Sequence, residues 1–418
     1  MTTEPVRATA VAPPKPAPWL GSVRAAAPGW VEAFEAAPRE WFVPDLVWRK
    51  NPTGRGWLPV NRNMEPETWA ELVATDDFVV TQVDDGHPTL PGGIGRAVTS
   101  STSMPTMMAV MLHTLNLPTD LHRRNGPGLR VLEIGTGTGW NTALLAHRLG
   151  VGNVTSIEID PQIADHARAA LASTGYPVTV ITGDGEQAPP ASDHDHALYD
   201  RVISTAACHR VPYTWVQQCK PGGIIVTPWQ TPYLGSALLQ LTVTHSTTTD
   251  AMASGRFIEH ASFMPLRAQR GGDWIPDPDT EPDAAESATA LHPYEPVSDY
   301  DGCAFTVSLL VPDLEKSIAF PDPHDQHTYE VLLFEATSRS WATITVTPAA
   351  LHTDIYLVRQ HGQRRLWDEI EAAYTWWEHH GHPTYTQFGL TIGATGQRAW
   401  LDDPSQPLGP ITPPDSRA

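Results

Sequence analysis

Gly135, Gly137 and Gly139 stand at alternate positions in VLEIGTGTGWNTALLAHRLG (131–150), between a short apolar run and a helical pattern. Glycines spaced this way let a backbone bend sharply and approach a ligand, because no side chain occupies the ligand's space. Acids accompany the bend. Glu133 lies two residues before the first glycine, Glu158 closes the next apolar run with Asp160 two further on, and Asp184 sits between Gly183 and Gly185 after the third. Carboxylates in those places can hold an amino-acid cation, accept both hydroxyls of a ribose and meet the exocyclic amine of an adenine. Taken singly each reads as a solvated loop residue; their ordered recurrence on successive strand ends favours a ligand.

Two ligand classes compete for such a bend. The dinucleotide fingerprint G-x-G-x-x-G started from Gly135 requires glycine where Trp140 stands, and started from Gly137 it fails at Thr142. Glu133 would also oppose a pyrophosphate, whereas it could hold a cationic amino-acid end. S-Adenosylmethionine (SAM), a zwitterionic sulfonium nucleoside, suits three carboxylates better.

The elements that must position these residues alternate strand and helix. Strands are expected at 130–134, 153–159, 178–182, 199–204 and 223–227, with helices at 141–149 and 161–173, which implies a mostly parallel sheet covered on both faces. Leu238–Thr244 and Phe257–Phe263 are expected to finish its edge as antiparallel strands. Upstream, Val31, Phe34 and Ala37 have helical spacing, residues 76–100 read as loops and short strands, and Ser103–Leu117 reads as an N-capped helix with Met107, Met108, Met111, Leu112 and Leu115 on one face. The 418 residues imply at least two units. The expected organisation is a flexible Ala- and Pro-rich arm (1–22), an α/β domain with an N-terminal helical cap (23–270), an acidic Pro-rich linker (271–300) and a C-terminal α+β domain (301–418). In that last unit AFTVSLLVPD, YEVLLFEATS and WATITVTP read as strands and LWDEIEAAYTWWEHHG as a helix.

Composition removes several partners. Lys and Arg number 27 against 47 Asp and Glu, a net charge of −20 that disfavours nucleic acid and anionic membrane. Three widely spaced cysteines fit a reducing cytoplasm, and no signal-peptide or membrane-spanning pattern is present in the sequence. No metal is expected. Asp193-His-Asp-His196 lacks a third partner at useful spacing, and the imidazoles of Glu378-His-His-Gly-His382 complement a helix C-terminus. Cys208 reads as a packing residue or pocket wall, and Trp376 and Trp377 as core.

VLEIGTGTGWNTALLAHRLG, SIEID, GDG, YDRVISTAA and KPGGIIVTP together resemble class I SAM-dependent methyltransferases, and specifically the protein-L-isoaspartate O-methyltransferase family. AFEAAPREWFVP and the Ser-x-Pro helix start in TSSTSMPTMM narrow that likeness, which covers about residues 30–265. The resemblance implies a Rossmann-like class I methyltransferase fold, a mostly parallel doubly wound sheet, carrying an additional C-terminal α+β domain. It implies SAM as cofactor and S-adenosylhomocysteine (SAH) as product. Glu133, Gly135, Thr136, Gly137, Thr138 and Gly139 would line the methionine portion, Glu158 with Ile159 the ribose, and Asp184 with Gly185 the adenine. Ser103 matches the family's active-site serine, and Thr205, Ala206 and Ala207 would lie where the acceptor carboxylate approaches. The implied reaction is methyl esterification of an aspartyl-type carboxylate in a peptide or protein. The chain departs from the repair enzymes by continuing about 150 residues past the fold, and Met104 and Thr106 replace residues that usually flank the Ser-x-Pro proline. Such long chains resemble enzymes of ribosomally made, modified peptides (lanthipeptides, graspetides), which implies a specific Asp of a cyclised precursor as acceptor and an aspartimide, often isoaspartate, as later product. General isoaspartyl repair and a non-catalytic SAM-binding peptide escort are the alternatives; a nucleic-acid methyltransferase is disfavoured by charge.

Overall fold

The computed structural model describes residues 17–409 apart from positions 53, 89, 119–127, 188–197, 235–236, 245–250, 273, 282, 321–324 and 326. Asp193–His196 therefore lies outside the described residues, as does the arm before residue 17.

The chain opens with α1 (Leu20–Ala26) and α2 (Val31–Ala36), then β1 (Leu46–Lys50), β2 (Trp57–Asn61), α3 (Pro66–Ala74), β3 (Val79–Val83), β4 (Val98–Thr102) and α4 (Pro105–Thr114). The expected arm is already helical at Leu20, because Trp19 buries itself edge-on against Phe34 and Trp140, with ring centroids 5.9 and 6.0 Å away. The four strands form an antiparallel sheet in the order β2-β1-β3-β4. The short strands expected within 76–100 are β3 and the start of β4; β1 and β2, which were not expected, complete a small sheet beside the cap helices.

Next come β5 (Val131–Ile134), α5 (Trp140–Leu149), β6 (Val154–Glu158), α6 (Pro161–Ser173), β7 (Thr179–Thr182), β8 (Tyr199–Ser204), α7 (Tyr213–Gln217), β9 (Cys219–Trp229), β10 (Ala237–Val243) and β11 (Ala253–His260). The sequence expectations for this region agree within a few residues. All four residues of β5 are buried, as a central strand covered on both faces requires. α6 begins with Pro161 behind Asp160, whose carboxylate accepts from the backbone N–H of Gln162 and Ile163.

The rest comprises β12 (Ala285–Thr289), α8 (Tyr294–Ser298), α9 (Cys303–Leu310), β13 (Glu315–Ala319), β14 (Tyr329–Glu335), β15 (Ser340–Val346), α10 (Pro348–Thr353), β16 (Tyr356–His361), α11 (Leu366–His379), β17 (Phe388–Gly393) and β18 (Gly396–Leu401). Two expectations fail here. The stretch read as a linker contains β12 and α8. AFTVSLLVPD, read as a strand, is mostly helix α9: Cys303 to Ser308 are all buried, and a helix covered on every side shows no 3.6-residue period.

The main sheet has nine strands in the order β18-β17-β11-β10-β9-β8-β5-β6-β7. Five of them, β9-β8-β5-β6-β7, run parallel, and the other four are antiparallel. This is the doubly wound α/β arrangement, with its strand order reversing between β5 and β8. The C-terminal unit has a five-stranded antiparallel sheet, β12-β16-β15-β14-β13, beneath α9 and α11. Its last hairpin, β17 and β18, joins the main sheet by pairing with β11, and one apolar cluster runs from Leu132 through Phe257 and Phe305 to Trp367 and Ile392. The α+β unit is thus built onto the main sheet and shares its core. Trp376 and Trp377 pack against that cluster.

Candidate functional site

A cleft opens at the carboxyl ends of β5, β6 and β8, where the strand order reverses. Its walls include Ser103, Gly135 to Thr138, Glu158, Ile159, Asp184, Gly185, Thr205 and Ala206. Most residues expected at the site are therefore brought together. Gly139, Glu133 and the buried Ala207 are the exceptions.

The bend after β5 is held by its own backbone. Gly135, Gly137 and Gly139 have φ of 87°, 54° and 87°, the left-handed region that other residues enter only with strain. A Cβ on Gly135 would meet Thr205 Oγ1 at 2.8 Å, and one on Gly139 would meet Leu171 Cγ at 3.1 Å. Gly139 therefore serves close packing of α5 on α6. Thr205 donates its hydroxyl to Gly135 O at 2.5 Å, so its observed task is to fasten the bend. Thr136 and Thr138 are buried, bonded through their hydroxyls to Ser156 and Thr102. Ala207 is bonded to Met264 and Leu266, which brings the stretch after β11 across the cleft.

Glu133 does not line the cleft. It is fully buried beneath the bend and accepts from Asn141 Nδ2 (2.8 Å), Ser156 Oγ (2.6 Å) and Thr142 Oγ1. Because Asn141 spends its amide N–H on Glu133, its Oδ1 is left buried without a partner, and Asn141 is a cleft residue. The sequence suggested that the acid itself faces a cationic ligand; in the structure it lies beneath the bend and fixes the orientation of the neighbouring amide. The available signal was an Asn in the first turn of an otherwise apolar helix.

Burial pushes the Glu133 carboxyl up to about 7, against the lowering effect of Ser156, Thr142 and Asn141. The folded protein thus holds this proton where the unfolded chain, starting from 4.5, has released it. The stability it contributes is full below pH 4.5 and lost as pH rises through about 7. Between pH 5 and pH 8 the wild type should lose on the order of 3 kcal/mol relative to Glu133→Gln in urea unfolding. A difference that stays constant across that range refutes the assignment.

Glu158 is almost buried, with Oε2 accepting from Gly137 N at 2.9 Å and Oε1 from Asp160 N at 3.1 Å. Burial raises its pKa, opposed by those two N–H groups. Asp184 accepts from Glu186 N at 3.0 Å, and the loop it begins is tied to α7 through Trp215 Nε1 on Gly185 O at 2.8 Å.

Ser103 precedes Met104, the N-cap of α4, so it is not the capping residue. The anion at that helix start is Asp76, which accepts from Thr106 N at 2.9 Å and from Thr106 Oγ1 at 2.5 Å. The hydroxyl of Ser103 is left for the cleft. Arg39, from AFEAAPREWFVP, is buried under this corner. It donates to the carbonyls of Thr75 (3.1 Å), Asp77 (2.6 Å) and Thr102 (3.0 Å), and lies over Trp140.

Two cations in the cleft wall escaped sequence reading. Arg267 and Arg270 follow β11 and share Asp85. A pair of arginines three apart, a few residues after β11, was the signal.

Cys208 is buried against Thr227, and burial pushes its thiol up to about 12, which makes it packing. His380 stacks on Trp376 at 3.7 Å and closes α11.

The sequence family described as protein-L-isoaspartate(D-aspartate) O-methyltransferase matches residues 75–271. A protein-L-isoaspartate O-methyltransferase of Hyperthermus butylicus is 34% identical over 192 residues, covering 44% of this chain and 71% of the relative. The chain belongs to the protein-L-isoaspartate O-methyltransferase family. The Methanopyrus kandleri relative of the same name is 34% identical over 203 residues, 48% of this chain and 81% of its own. A solved structure titled protein-L-isoaspartate O-methyltransferase aligns with 92% of this chain and 98% of its own, at 18% identity and a TM-score of 0.46.

Members of this family are class I SAM-dependent methyltransferases, and the residues present fit that cofactor. The unpartnered Asn141 Oδ1 suits an ammonium, the paired oxygens of Glu158 suit vicinal hydroxyls, and Asp184 suits an amine. No helix among the described residues is long and apolar enough to cross a membrane.

Proposed function

We propose that the protein methyl-esterifies an aspartyl-type carboxylate, and that its acceptor is a specific Asp of a cyclised, ribosomally made precursor peptide. Asn141, Glu158 and Asp184 would hold SAM. When bound, SAM supplies an electrophilic methyl group on a cationic sulfur. The acceptor needs no general base, because a carboxyl with a reference pKa of about 3.9 is ionised at neutral pH. The chain's work is to align and to exclude water. Ser103 donates a hydrogen bond that orients the carboxylate, Ala206 leaves room for it, and Met264 to Leu266 cover it. The ester carries a better leaving group than the acid, so the following backbone nitrogen can attack its carbonyl, lose its proton and expel methanol to close a five-membered imide.

The observation that carries the narrower acceptor is the C-terminal unit. The family match ends at residue 271, yet β17 and β18 return to the main sheet and share its core. A unit built this closely onto a methyltransferase fold supports recognition of one elaborate substrate. General repair is the second reading, favoured by the names of the relatives. Labelled SAM should give ester on a cyclised precursor peptide and about a hundredfold less, per unit kcat/KM, on a short linear isoaspartyl peptide. Equal or better use of the linear peptide establishes the repair reading, and binding of SAH with no ester on any peptide leaves an escort.

Ser103→Ala should lower kcat about tenfold to a hundredfold, the worth of one hydrogen bond to a charged group, with SAH affinity unchanged. Calorimetry and steady-state rates check it; an unchanged kcat removes the role given to Ser103.

A further inference from the structure

We infer that Arg267 and Arg270 are the pair that selects the acceptor carboxylate, a specificity role for two residues of this cleft that rests on the reaction proposed above. The charged residues lining the cleft divide cleanly. Glu158 and Asp184 lie where the nucleoside would be held, and Arg267 and Arg270 are the cations among the described lining residues. A carboxylate approaching a chain of net charge −20 meets a repulsive field, so a local pair of cations has a large part in admitting it.

Both guanidinium groups are set in place beforehand. Asp85 accepts from Arg270 in a two-point pairing at 2.7 and 3.1 Å and lies 3.3 Å from Arg267 Nη2. The same Nη2 donates to Asp160 Oδ2 at 2.7 Å, while Asp160 also caps α6. Asp85 owes its position to an unusual turn, since Asp84 and Asp85 both have positive φ, 49° and 51°. Such strain, about 1–3 kcal/mol per residue, persists where surroundings enforce it. Here the Asp84 carboxylate accepts from Arg96 N and Ala97 N and locks the turn. Arg267 Nε and Nη1 have no hydrogen-bond partner among the described residues, so the most nearly preorganised donors of the cleft remain for an incoming anion. A guanidinium bonded to one carboxylate oxygen leaves the other free to attack.

The test uses the full chain saturated with SAH and a fluorescein-labelled hexapeptide carrying a central isoaspartyl residue, a second carrying a central Asp, and the carboxamide counterpart of each. Fluorescence anisotropy should show the wild type preferring at least one carboxylate peptide over its amide by about tenfold, the worth of one charged hydrogen bond in a half-exposed site. In R267Q/R270Q that preference should fall below about twofold while SAH affinity stays within about threefold, and R267K/R270K should keep part of it. If the double variant does not fold, Arg270→Gln, which leaves the bond between Arg267 and Asp160 intact, should still lower the preference about threefold, because Asp85 is left without its two-point partner beside the incoming carboxylate. No preference in the wild type, an undiminished one in the variants, or SAH affinity falling in step with peptide affinity overturns the assignment. Peptide discrimination without methyl transfer would refute the proposed reaction and leave the pair standing; transfer with unchanged discrimination would do the reverse.

Discussion

Glu158→Ala is expected to weaken SAH binding about a hundredfold, close to 2.7 kcal/mol, the largest single effect on the cofactor side. Glu158 is 7% exposed and each oxygen already accepts one backbone N–H, from Gly137 and from Asp160. It is also one of the residues lining the cleft. Removing the carboxylate therefore deletes both ligand bonds and frees the Gly137 N–H that keeps the bend in shape. A charged acceptor of this kind contributes roughly 1.5–3 kcal/mol for each hydrogen bond, so two bonds partly offset by water give the figure above. Glu158→Gln should fall between, because an amide offers one acceptor oxygen instead of two. Titration calorimetry with SAH measures this without any peptide. An affinity within about threefold of wild type would show that the carboxylate only braces the loop.

Arg39→Met should destabilise the fold by about 3–5 kcal/mol, the cost of removing a buried cation whose two terminal nitrogens are both hydrogen-bonded. Arg39 is 1% exposed, and burial lowers its pKa to about 10 against the pull of Asp76 and Asp77, so it is charged at neutral pH. Its guanidinium joins the end of α3 to the end of β4, leaving the Thr75, Asp77 and Thr102 carbonyls without a donor when it is removed. Thr102 adjoins Ser103. Loss of the anchor should therefore also depress kcat, by more than the Ser103→Ala change alone. Arg39→Lys should rescue little, since donors on a single nitrogen cannot span carbonyls on two separate segments. Urea denaturation reads the first effect and turnover the second; a loss under about 1 kcal/mol would mean water substitutes for the guanidinium.

Much of the site was legible because its signals are local. Three left-handed glycines in a row of alternating residues have one common explanation, and Glu158 and Asp184 stand at strand ends that apolar periodicity reveals. Less legible were residues whose meaning depends on a neighbour far along the chain. Trp140 entered sequence reading only as the residue that breaks a dinucleotide fingerprint. In the fold it is the surface on which Trp19, Phe34 and Arg39 converge, and its indole N–H reaches Ala37 O at 2.9 Å. Asp85 and Arg270 lie 185 positions apart and meet only because the turn after β3 and the stretch after β11 close on the same cleft.

The C-terminal half marks the limit from another side. Its strands β14 and β15 and helix α11 carry clear patterns, yet α9 is buried all round and lost its period, and β12 lay in an acidic stretch with little apolar content. Nothing local shows that β17 will pair with β11 across more than 100 residues, because a backbone ladder is sequence-independent and the choice of edge is made by the whole core. By itself, then, the sequence determined the glycine bend, the acids at the strand ends and the parallel sheet that carries them, since short-range geometry and hydrophobic period suffice for these. The tertiary structure decided that Glu133 lies beneath the bend and holds Asn141, that Asp76 fills the helix start beside Ser103, and that the C-terminal unit shares the core, since each depends on burial and on which distant groups meet.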